Sequence, residues 1–224
     1  MNPERTEHLT GRNPLILVVC TANICRSPFA ANLLRRELSG IEEVSFNIES
    51  AGTEARGGDP ACKGLWGSAG QQAPERGDHS SRVVTRDLAD QADLILALSS
   101  SHSSSLAVTS PKARSITFKL AVASRLASQI VSPRHALASA TGAMAQMDEL
   151  DPLVRVPKLP QFGPDRFEWL VAEMDAWRGS IIESEADSVI DPHEAEDDRH
   201  PAVASEIIEL VESFALAVKA VVRA

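Results

Sequence analysis

The chain lacks the features that mark secreted, membrane-spanning and nucleic-acid-binding proteins. It has three cysteines in 224 residues, too few for the disulfide framework of a small secreted domain. No apolar run approaches the roughly 20 residues that span a membrane, and the polar residues 1–14 contain no apolar signal core. The formal net charge of −9 disfavours a nucleic-acid partner. We therefore expect a cytoplasmic protein with no membrane span and no nucleic-acid partner.

Aromatic side chains are also scarce, at 4% of the chain with no tyrosine. The hydrophobic fraction of 43% and the charged fraction of 24% are nevertheless typical of a globular protein. A chain of 224 residues can form one domain with a large insertion. We expect a disordered tail at residues 1–13 and a single domain at 14–224, with an insertion at about 132–187, where prolines break the chain into short pieces.

A strand, a loop and a helix are predicted to follow one another between residues 15 and 38. Residues 15–19 form a continuous aliphatic run, which is typical of a strand buried on both faces. Residues 28–38 carry one apolar stripe at helical spacing, with Pro28 suited to the first helical position and Ser27 to the N-cap. The loop between strand and helix begins with Cys20 and ends with Arg26 and Ser27.

This arrangement predicts an anion site at the start of the helix. A helix N-terminus presents unpaired N–H groups and a partial positive charge, and a tight loop leading into it aims further N–H groups at one point. Arg26 adds a planar charged fork that matches two phosphoryl oxygens. The same field stabilises a thiolate at Cys20, which is a nucleophile for phosphoryl transfer. Because no second Cys or His pair accompanies Cys20 and Cys25 in the sequence, we expect no zinc site.

Further strands and helices are predicted to alternate along the chain. Aliphatic or alternating runs predict strands at residues 44–50, 92–98 and 114–118. Helical patterns occur at about 60–66, after Thr85, at 120–130, at 165–177 and from about 201, and the serine-rich stretch 99–105 is expected to be a loop leading into a helix. Alternation of strands and helices predicts a parallel sheet whose ligands bind at the carboxyl ends of the strands, where Cys20 lies.

Residues 20–28, Cys-Thr-Ala-Asn-Ile-Cys-Arg-Ser-Pro, follow an aliphatic strand and resemble the signature of the low-molecular-weight protein tyrosine phosphatases. Ser-Ala-Gly-Thr at 50–53 resembles a second family segment. The resemblance implies a three-layer α/β/α sandwich around a four-stranded parallel sheet in the order 2-1-3-4. The compact family members have no clear counterpart of the insertion, which we expect to pack beside the active-site face. The family usually has glycine where this chain has Ala22, and alanine disfavours a positive φ.

The resemblance also implies the roles of individual residues. Cys20 is the expected nucleophile, and Arg26 is expected to hold the phosphoryl oxygens. The family's general acid lies in an Asp-Pro pair just before the last helix, which favours Asp191 over Asp151, because Asp151 falls inside the insertion. The rest of the phosphate-binding loop is expected to consist of Thr21, Ala22, Asn23, Ile24, Cys25 and Ser27, with Ser27 donating a hydrogen bond to the thiolate.

Two residues outside the loop are expected to support it. In the family the residue that matches Asn23 is tied to the serine of Ser-Ala-Gly-Thr and to a buried histidine, which here are Ser50 and His79. The family pattern also allows a reversible disulfide between Cys25 and Cys20.

The walls of the substrate slot depart from the family pattern. The family often has an aromatic residue after Asp-Pro, where this chain has His193. Trp66 or Phe162 is a candidate substitute.

These residues predict a metal-independent phosphatase that needs no cofactor and acts on phosphotyrosine in protein substrates, with phosphate or another oxyanion able to occupy the site. One alternative is arsenate reductase on the same fold, which needs further cysteines, of which only Cys62 remains in another segment. A second alternative is a non-catalytic module that binds a phospho-ligand or senses redox state.

Overall fold

The structure is a computed structural model that describes residues 12–132, 159–193 and 198–224. Its centre is a parallel sheet of four strands in the order β2-β1-β3-β4, which confirms the expected topology. The strands are β1 (Leu15–Cys20), β2 (Asn47–Gly52), β3 (Leu94–Ala97) and β4 (Thr117–Lys119). Every residue of β1 is buried, as expected for a central strand covered on both faces.

Helices cover both faces of the sheet. They are α1 (Arg26–Leu38), α2 (Lys63–Ala69), α3 (Arg86–Gln91), α4 (Ser100–Thr109), α5 (Leu120–Ile130), α6 (Gly163–Ala176) and α7 (His200–Val222). Helix α7 contacts α1, α2, α5 and α6, whereas α4 packs with α3 and with the 3₁₀ segment Pro111–Ile116. The described chain is therefore a three-layer α/β/α sandwich, as the resemblance implies.

The limits of several elements differ from the sequence prediction. Helix α1 begins at Arg26 with Cys25 as its N-cap, not at Pro28 with Ser27, because the Ser27 hydroxyl is engaged in contacts with the loop. Strand β2 starts later than predicted, β4 is shortened by the 3₁₀ segment before it, and α2 begins at Lys63. The predicted helix at 120–130 is confirmed at both ends.

The serine-rich stretch after β3 is a helix and not the loop that we expected. Ser99 caps α4, since its hydroxyl accepts a hydrogen bond from the His102 N–H. The Ser103 and Ser104 hydroxyls donate to carbonyls four residues earlier, at 3.4 and 3.0 Å. These local bonds satisfy the hydroxyls inside a helix, where serine otherwise competes with the backbone.

The helix predicted at 165–177 is confirmed as α6. This part of the proposed insertion lies away from the active-site face, beside which we expected the insertion to pack. Gly163 lies against the backbone of Glu43, which precedes β2, and Arg166 donates to the Val222 carbonyl at the end of α7. Both contacts lie near the amino-terminal ends of the strands, away from the carboxyl ends where the phosphate loop is. Residues 1–11 of the predicted tail and residues 133–158 of the proposed insertion lie outside the described ranges.

The last helix runs the length of the sandwich. Its buried residues recur at three- and four-residue steps and include Val203, Ile207, Val211, Phe214, Val218 and Val221. Within residues 12–132, 159–193 and 198–224, every helix is too short or too polar to cross a lipid bilayer.

Candidate active site

The loop between β1 and α1 contains one residue in an unusual backbone conformation. Asn23 has φ 55°, and within the described ranges it is the one non-glycine residue with positive φ. Asparagine tolerates this left-handed region better than most residues do. Ala22 does not adopt positive φ, so alanine at the family's glycine position carries no backbone strain of that kind.

The end of β2 supports the loop from one side. The backbone N–H groups of Thr53 and Glu54 donate to the carbonyls of Cys20 and Thr21, each at 2.9 Å. A Cβ atom on Gly52 would lie 2.4 Å from the Thr21 carbonyl oxygen, so the close approach requires glycine. The Ser-Ala-Gly-Thr segment therefore fixes the position of the loop through backbone contacts.

The Asn23 side chain is the centre of a buried hydrogen-bond network. Its Nδ2 donates to the hydroxyls of Ser27 and Ser50 at 3.0 and 2.9 Å, and its Oδ1 accepts from the Arg82 N–H at 3.0 Å. His79 is half-buried and donates from Nε2 to the Asn23 carbonyl at 2.6 Å. Both predicted supporting residues thus contact Asn23, although His79 contacts the backbone and is not fully buried.

Cys20 lies at the floor of the loop. Its side chain is buried, and Sγ is 3.0 Å from the Ser27 hydroxyl oxygen. That hydroxyl accepts from Asn23, and its own hydrogen has two acceptors within reach, namely Cys20 Sγ and the Ala51 carbonyl oxygen at 3.3 Å. An ionised sulfur is the charged and nearer of the two acceptors and therefore the stronger one. The first residue of α1 is Arg26, so the positive end of the helix adjoins the same sulfur-bearing loop.

Arg26 joins the loop to the segment that carries Asp191. Its Nη2 forms a short ion pair with the Asp191 carboxylate, and its Nη1 donates to the Val189 carbonyl at 3.0 Å. The Val189 N–H in turn donates to the Leu98 carbonyl at the end of β3, at 2.8 Å. The structure therefore brings Cys20, Arg26 and Asp191 to one edge of the sheet, whereas Asp151 lies outside the described residues.

His102 is a further residue of this site that the sequence analysis missed. It is buried on α4, with Nε2 3.0 Å from the Thr21 hydroxyl and Nδ1 2.8 Å from the Ser99 hydroxyl. Burial, followed by the charge of Arg26, lowers the pKa of His102 to about 4, although Asp191 opposes the shift. The available signal was its position directly after β3, at the carboxyl end of a parallel strand.

Comparison with known proteins agrees with this geometry. A family model described as low molecular weight phosphotyrosine protein phosphatase matches residues 15–123. The low molecular weight protein-tyrosine-phosphatase Etp of Escherichia coli strain K12 is 36% identical over 102 residues, which cover 46% of this chain and 66% of that protein. The Ralstonia solanacearum protein EpsP, named "Probable low molecular weight protein-tyrosine-phosphatase", is 34% identical over 105 residues, covering 47% of this chain and 69% of its own. The chain belongs to this family.

The same fold occurs in solved structures. The crystal structure of the Erwinia amylovora tyrosine phosphatase amsI superposes with a TM-score of 0.57 at 19% identity, covering 94% of this chain and 97% of that one. The family model ends before Asp191, so the assignment of that residue depends on its contact with Arg26.

The aromatic wall that many family members have after Asp-Pro is not supplied as expected. Phe162 is 68% exposed and adjoins the start of α6 at the opposite edge, so it is wrong as a substitute. Trp66 packs edge-to-face on Phe29 with ring centroids 5.0 Å apart. His193, at the family's aromatic position, packs its ring on His200 at 4.9 Å.

A second group of polar side chains lies beside the phosphate-binding loop. The ligand atoms of four residues are all within 4.8 Å of one another, namely Cys25, Cys62, His193 and His200. Burial raises the pKa of the Cys25 thiol, and the neighbouring Cys62 raises it further. The expectation that no second Cys or His pair accompanies the loop is therefore wrong, because residues distant in sequence supply one.

Proposed function

We propose that the chain is a protein-tyrosine phosphatase that hydrolyses aryl phosphate monoesters through a phosphocysteine at Cys20. One observation carries the proposal: Arg26 reaches Asp191 across 165 residues of sequence while its own loop holds the buried Cys20. A nucleophile, an oxyanion-binding fork and a carboxyl group are thereby within one site.

In the first step the Cys20 thiolate attacks phosphorus and a sulfur–phosphorus bond forms. Arg26 exchanges its contact with Asp191 for two phosphoryl oxygens and, with the loop amides, stabilises the charge of the transition state. The bond between phosphorus and the phenolic oxygen breaks, and Asp191 transfers its proton to the leaving oxygen.

In the second step water attacks the phosphocysteine. Asp191, now a carboxylate, takes a proton from that water, the sulfur–phosphorus bond breaks and inorganic phosphate is released. The Ser27 hydroxyl, 3.0 Å from Sγ, stabilises the thiolate as it leaves. Neither step requires a metal ion or an organic cofactor, since Arg26 and the amides supply the positive charge.

The proposed substrates are phosphotyrosine side chains of proteins, in agreement with the names of the relatives, and free phosphate would bind as product. The low cysteine content supports a cytoplasmic setting. The roles of the loop residues and the single-domain organisation from residue 14 to 224 are part of the same proposal.

The test compares two variants on two substrates in mildly acidic buffer. Cys20→Ser should abolish turnover of p-nitrophenyl phosphate while keeping vanadate or phosphate binding, because the binding groups remain. Asp191→Asn should lower kcat by about 100-fold or more on phenyl phosphate. It should lower kcat less on p-nitrophenyl phosphate, whose leaving group needs less protonation.

The matched control is Asp175→Asn, which removes a surface carboxylate that pairs with Arg178. This variant should retain the wild-type rate on both substrates. Turnover that survives Cys20→Ser, or an Asp191→Asn effect that is equal for both leaving groups, would reject the mechanism. Phosphate binding without any turnover in the wild-type chain would instead identify a non-catalytic binding module.

Arsenate reductase is the second candidate, and one contact gives it a testable form. Cys62 lies within 4.8 Å of Cys25, so a second thiol is available beside the loop despite its distance in sequence. A reductase would oxidise a pair of these thiols to a disulfide in proportion to arsenate consumed. A thiol count after incubation with arsenate decides between the two activities, and a phosphatase should show no arsenate-dependent loss of thiols.

A further inference from the structure

We propose that this chain binds one zinc ion beside the phosphate loop, through Cys25, Cys62, His193 and His200. The four residues come from four segments: the N-cap of α1, the N-cap of α2, the turn after Asp191 and the first residue of α7. Their ligand atoms are mutually within 4.8 Å, as a single ion requires.

The donor set selects the metal. Two thiolates and two imidazoles are the ligands of a closed tetrahedral zinc site, whereas Mg²⁺ and Ca²⁺ take oxygen ligands. Zinc–sulfur bonds near 2.3 Å and zinc–nitrogen bonds near 2.0–2.1 Å place sulfur and nitrogen about 3.6 Å apart in a tetrahedron. Cys62 Sγ and His200 Nε2 are 3.6 Å apart, so this pair already has the spacing of two ligands.

The neighbouring carboxylate of Asp198 orients the His200 ring as a zinc ligand. Its Nδ1 is 2.7 Å from the Asp198 carboxylate, which fixes the proton on Nδ1 and leaves Nε2 as the ligand atom. This carboxylate–histidine arrangement is the usual outer partner of a zinc-bound histidine. The Gly64 N–H donates to Cys62 Sγ at 3.3 Å, a bond that a thiolate accepts better than a thiol.

The His200 ring occupies space that a side chain at residue 64 would fill. A Cβ atom on Gly64 would lie 2.3 Å from His200 Cδ2 and 2.5 Å from His200 Nε2. The ring of His200 can therefore reach Cys62 only because residue 64 has no side chain.

Zinc binding involves no oxidation or reduction, and its charges and protons balance. Zn²⁺ forms two bonds to sulfur and two to neutral imidazole nitrogen, the two thiols each release one proton, and the completed site has no net charge. Since His193 is two residues from Asp191, the ion would fasten the segment of the general acid to the phosphate loop. A Cys25 thiolate bound to zinc is also unavailable for a disulfide with Cys20.

The experiment measures metal binding and is independent of activity. Purified full-length chain, stripped with a chelator, is titrated with Zn²⁺ and separately with Co²⁺. We expect one ion per chain, release of about two protons per zinc, and a cobalt spectrum with thiolate charge-transfer bands and the strong visible bands of a tetrahedral site. Zinc should raise the melting temperature, because it binds the folded state.

The matched variants are Cys62→Ser and Cys20→Ser, the same change inside and outside the cluster. Cys62→Ser should weaken zinc binding by more than about 100-fold, beyond the 10–100-fold typical of losing an outer partner. It should also abolish the zinc-dependent rise in melting temperature. Cys20→Ser should bind one zinc as the wild type does.

Two further variants test the geometry. Asp198→Asn should weaken zinc binding by about 10–100-fold, and Gly64→Ala should weaken it by displacing His200. The metal-free melting temperature of each variant shows whether it has folded. Zinc binding that is lost in Cys20→Ser but kept in Cys62→Ser would overturn the proposal, and so would a folded wild-type chain that binds no ion or forms a Cys25–Cys62 disulfide instead.

Discussion

At the scale of the residue, Asn23 and His102 are two of the buried polar side chains that shape the phosphate loop. Asn23 uses its side-chain amide to join the loop to Ser27, Ser50 and the Arg82 backbone. His102 approaches from the other side through the Thr21 hydroxyl, which also accepts from Arg26 at 3.2 Å. An unpaired buried polar group is costly, so each of these contacts restricts the conformations of the loop.

His102 should make folding stability depend on pH. Its pKa is lowered from 6.5 to about 4 in the folded chain, mainly by burial. Below pH 6.5 the unfolded chain takes up a proton that the folded chain excludes, so the contribution of His102 to stability is complete above this pH and declines towards pH 4. Between pH 7.5 and 5 the free energy of unfolding should fall by about 2 kcal/mol from this group.

His102→Gln isolates that contribution, because glutamine has no titrating ring. Urea unfolding at pH 7.5 and pH 5 measures the free-energy difference in the wild type and the variant. The variant should show the smaller decrease. An equal decrease in both proteins would mean that His102 does not exclude a proton in the folded state.

At the scale of the element, the site depends on how closely β2 approaches the loop between β1 and α1. Gly52 pairs with Cys20 in the sheet register and lies under Thr21 and Asn23. In Gly52→Ala the new Cβ atom would be 2.4 and 2.8 Å from backbone atoms, which cannot move as a flexible side chain does. We expect a loss of about 1–3 kcal/mol in stability and a fall in kcat/KM, since the loop must shift.

The control for this substitution is Gly67→Ala within α2. A Cβ atom at Gly67 would meet nothing within 4 Å beyond its chain neighbours and the backbone of its own helix, and alanine is the better helix former. This variant should be as stable as the wild type or up to about 1 kcal/mol more stable, with unchanged kinetics. A Gly52→Ala variant with the stability and kcat/KM of the Gly67→Ala control would show that the close approach does not shape the loop.

Ion pairs and hydrogen bonds around Asp187 fix the position of the segment before Asp191. Asp187 and Lys119 are buried, and Asp187 pairs with Lys119 and with the exposed Arg125. Lys119 Nζ also donates to the Ser184 carbonyl at 2.7 Å. Burial alone would raise the pKa of Asp187, but the hydrogen bonds from Arg125 and the Ser184 N–H and the two cationic charges lower it overall. The carboxylate is therefore charged at neutral pH and anchors this segment to β4 and α5.

At the scale of the whole molecule, α7 connects the site to the opposite edge of the sheet. It begins at His200 beside Cys62 and ends at Val222, packing on α1, α2, α5 and α6 on the way. Phe214 is fully buried in this interface, whereas Leu216 is 69% exposed. Phe214→Ala should cost about 3–5 kcal/mol, and Leu216→Ala should change stability by less than about 0.5 kcal/mol, as measured by urea unfolding. Equal effects would contradict the packing described for α7.

Much of the fold was predictable because the strands and long helices have strong local patterns. The aliphatic runs of β1 and β3 and the apolar stripes of α5 and α7 identified these elements directly. The limits of α1 and the helical state of α4 were not predictable, because they depend on where Ser27 and Ser99 find hydrogen-bond partners. Such choices are made by tertiary contacts that compete with local preference.

The candidate site was predictable where it is contiguous in sequence. The loop from Cys20 to Ser27 was identified from its residues alone. The contact of His102 with the loop, and the meeting of Cys25 with Cys62 and His200, join segments far apart in the chain. The position of His102 after β3 was the one sign of its contact with the loop. Sequence spacing gave no sign of the cysteine and histidine cluster, because the packing of the helices brings those side chains together.

The central claim is that the sulfur of Cys20 takes the phosphoryl group. The most direct measurement is mass spectrometry of the wild-type chain after rapid acid quenching during turnover of p-nitrophenyl phosphate. The mechanism predicts one phosphoryl group per chain, on the peptide that contains residues 20–26 and on Cys20 itself. Steady turnover with the phosphoryl group on another residue, or with none on the chain, would contradict it.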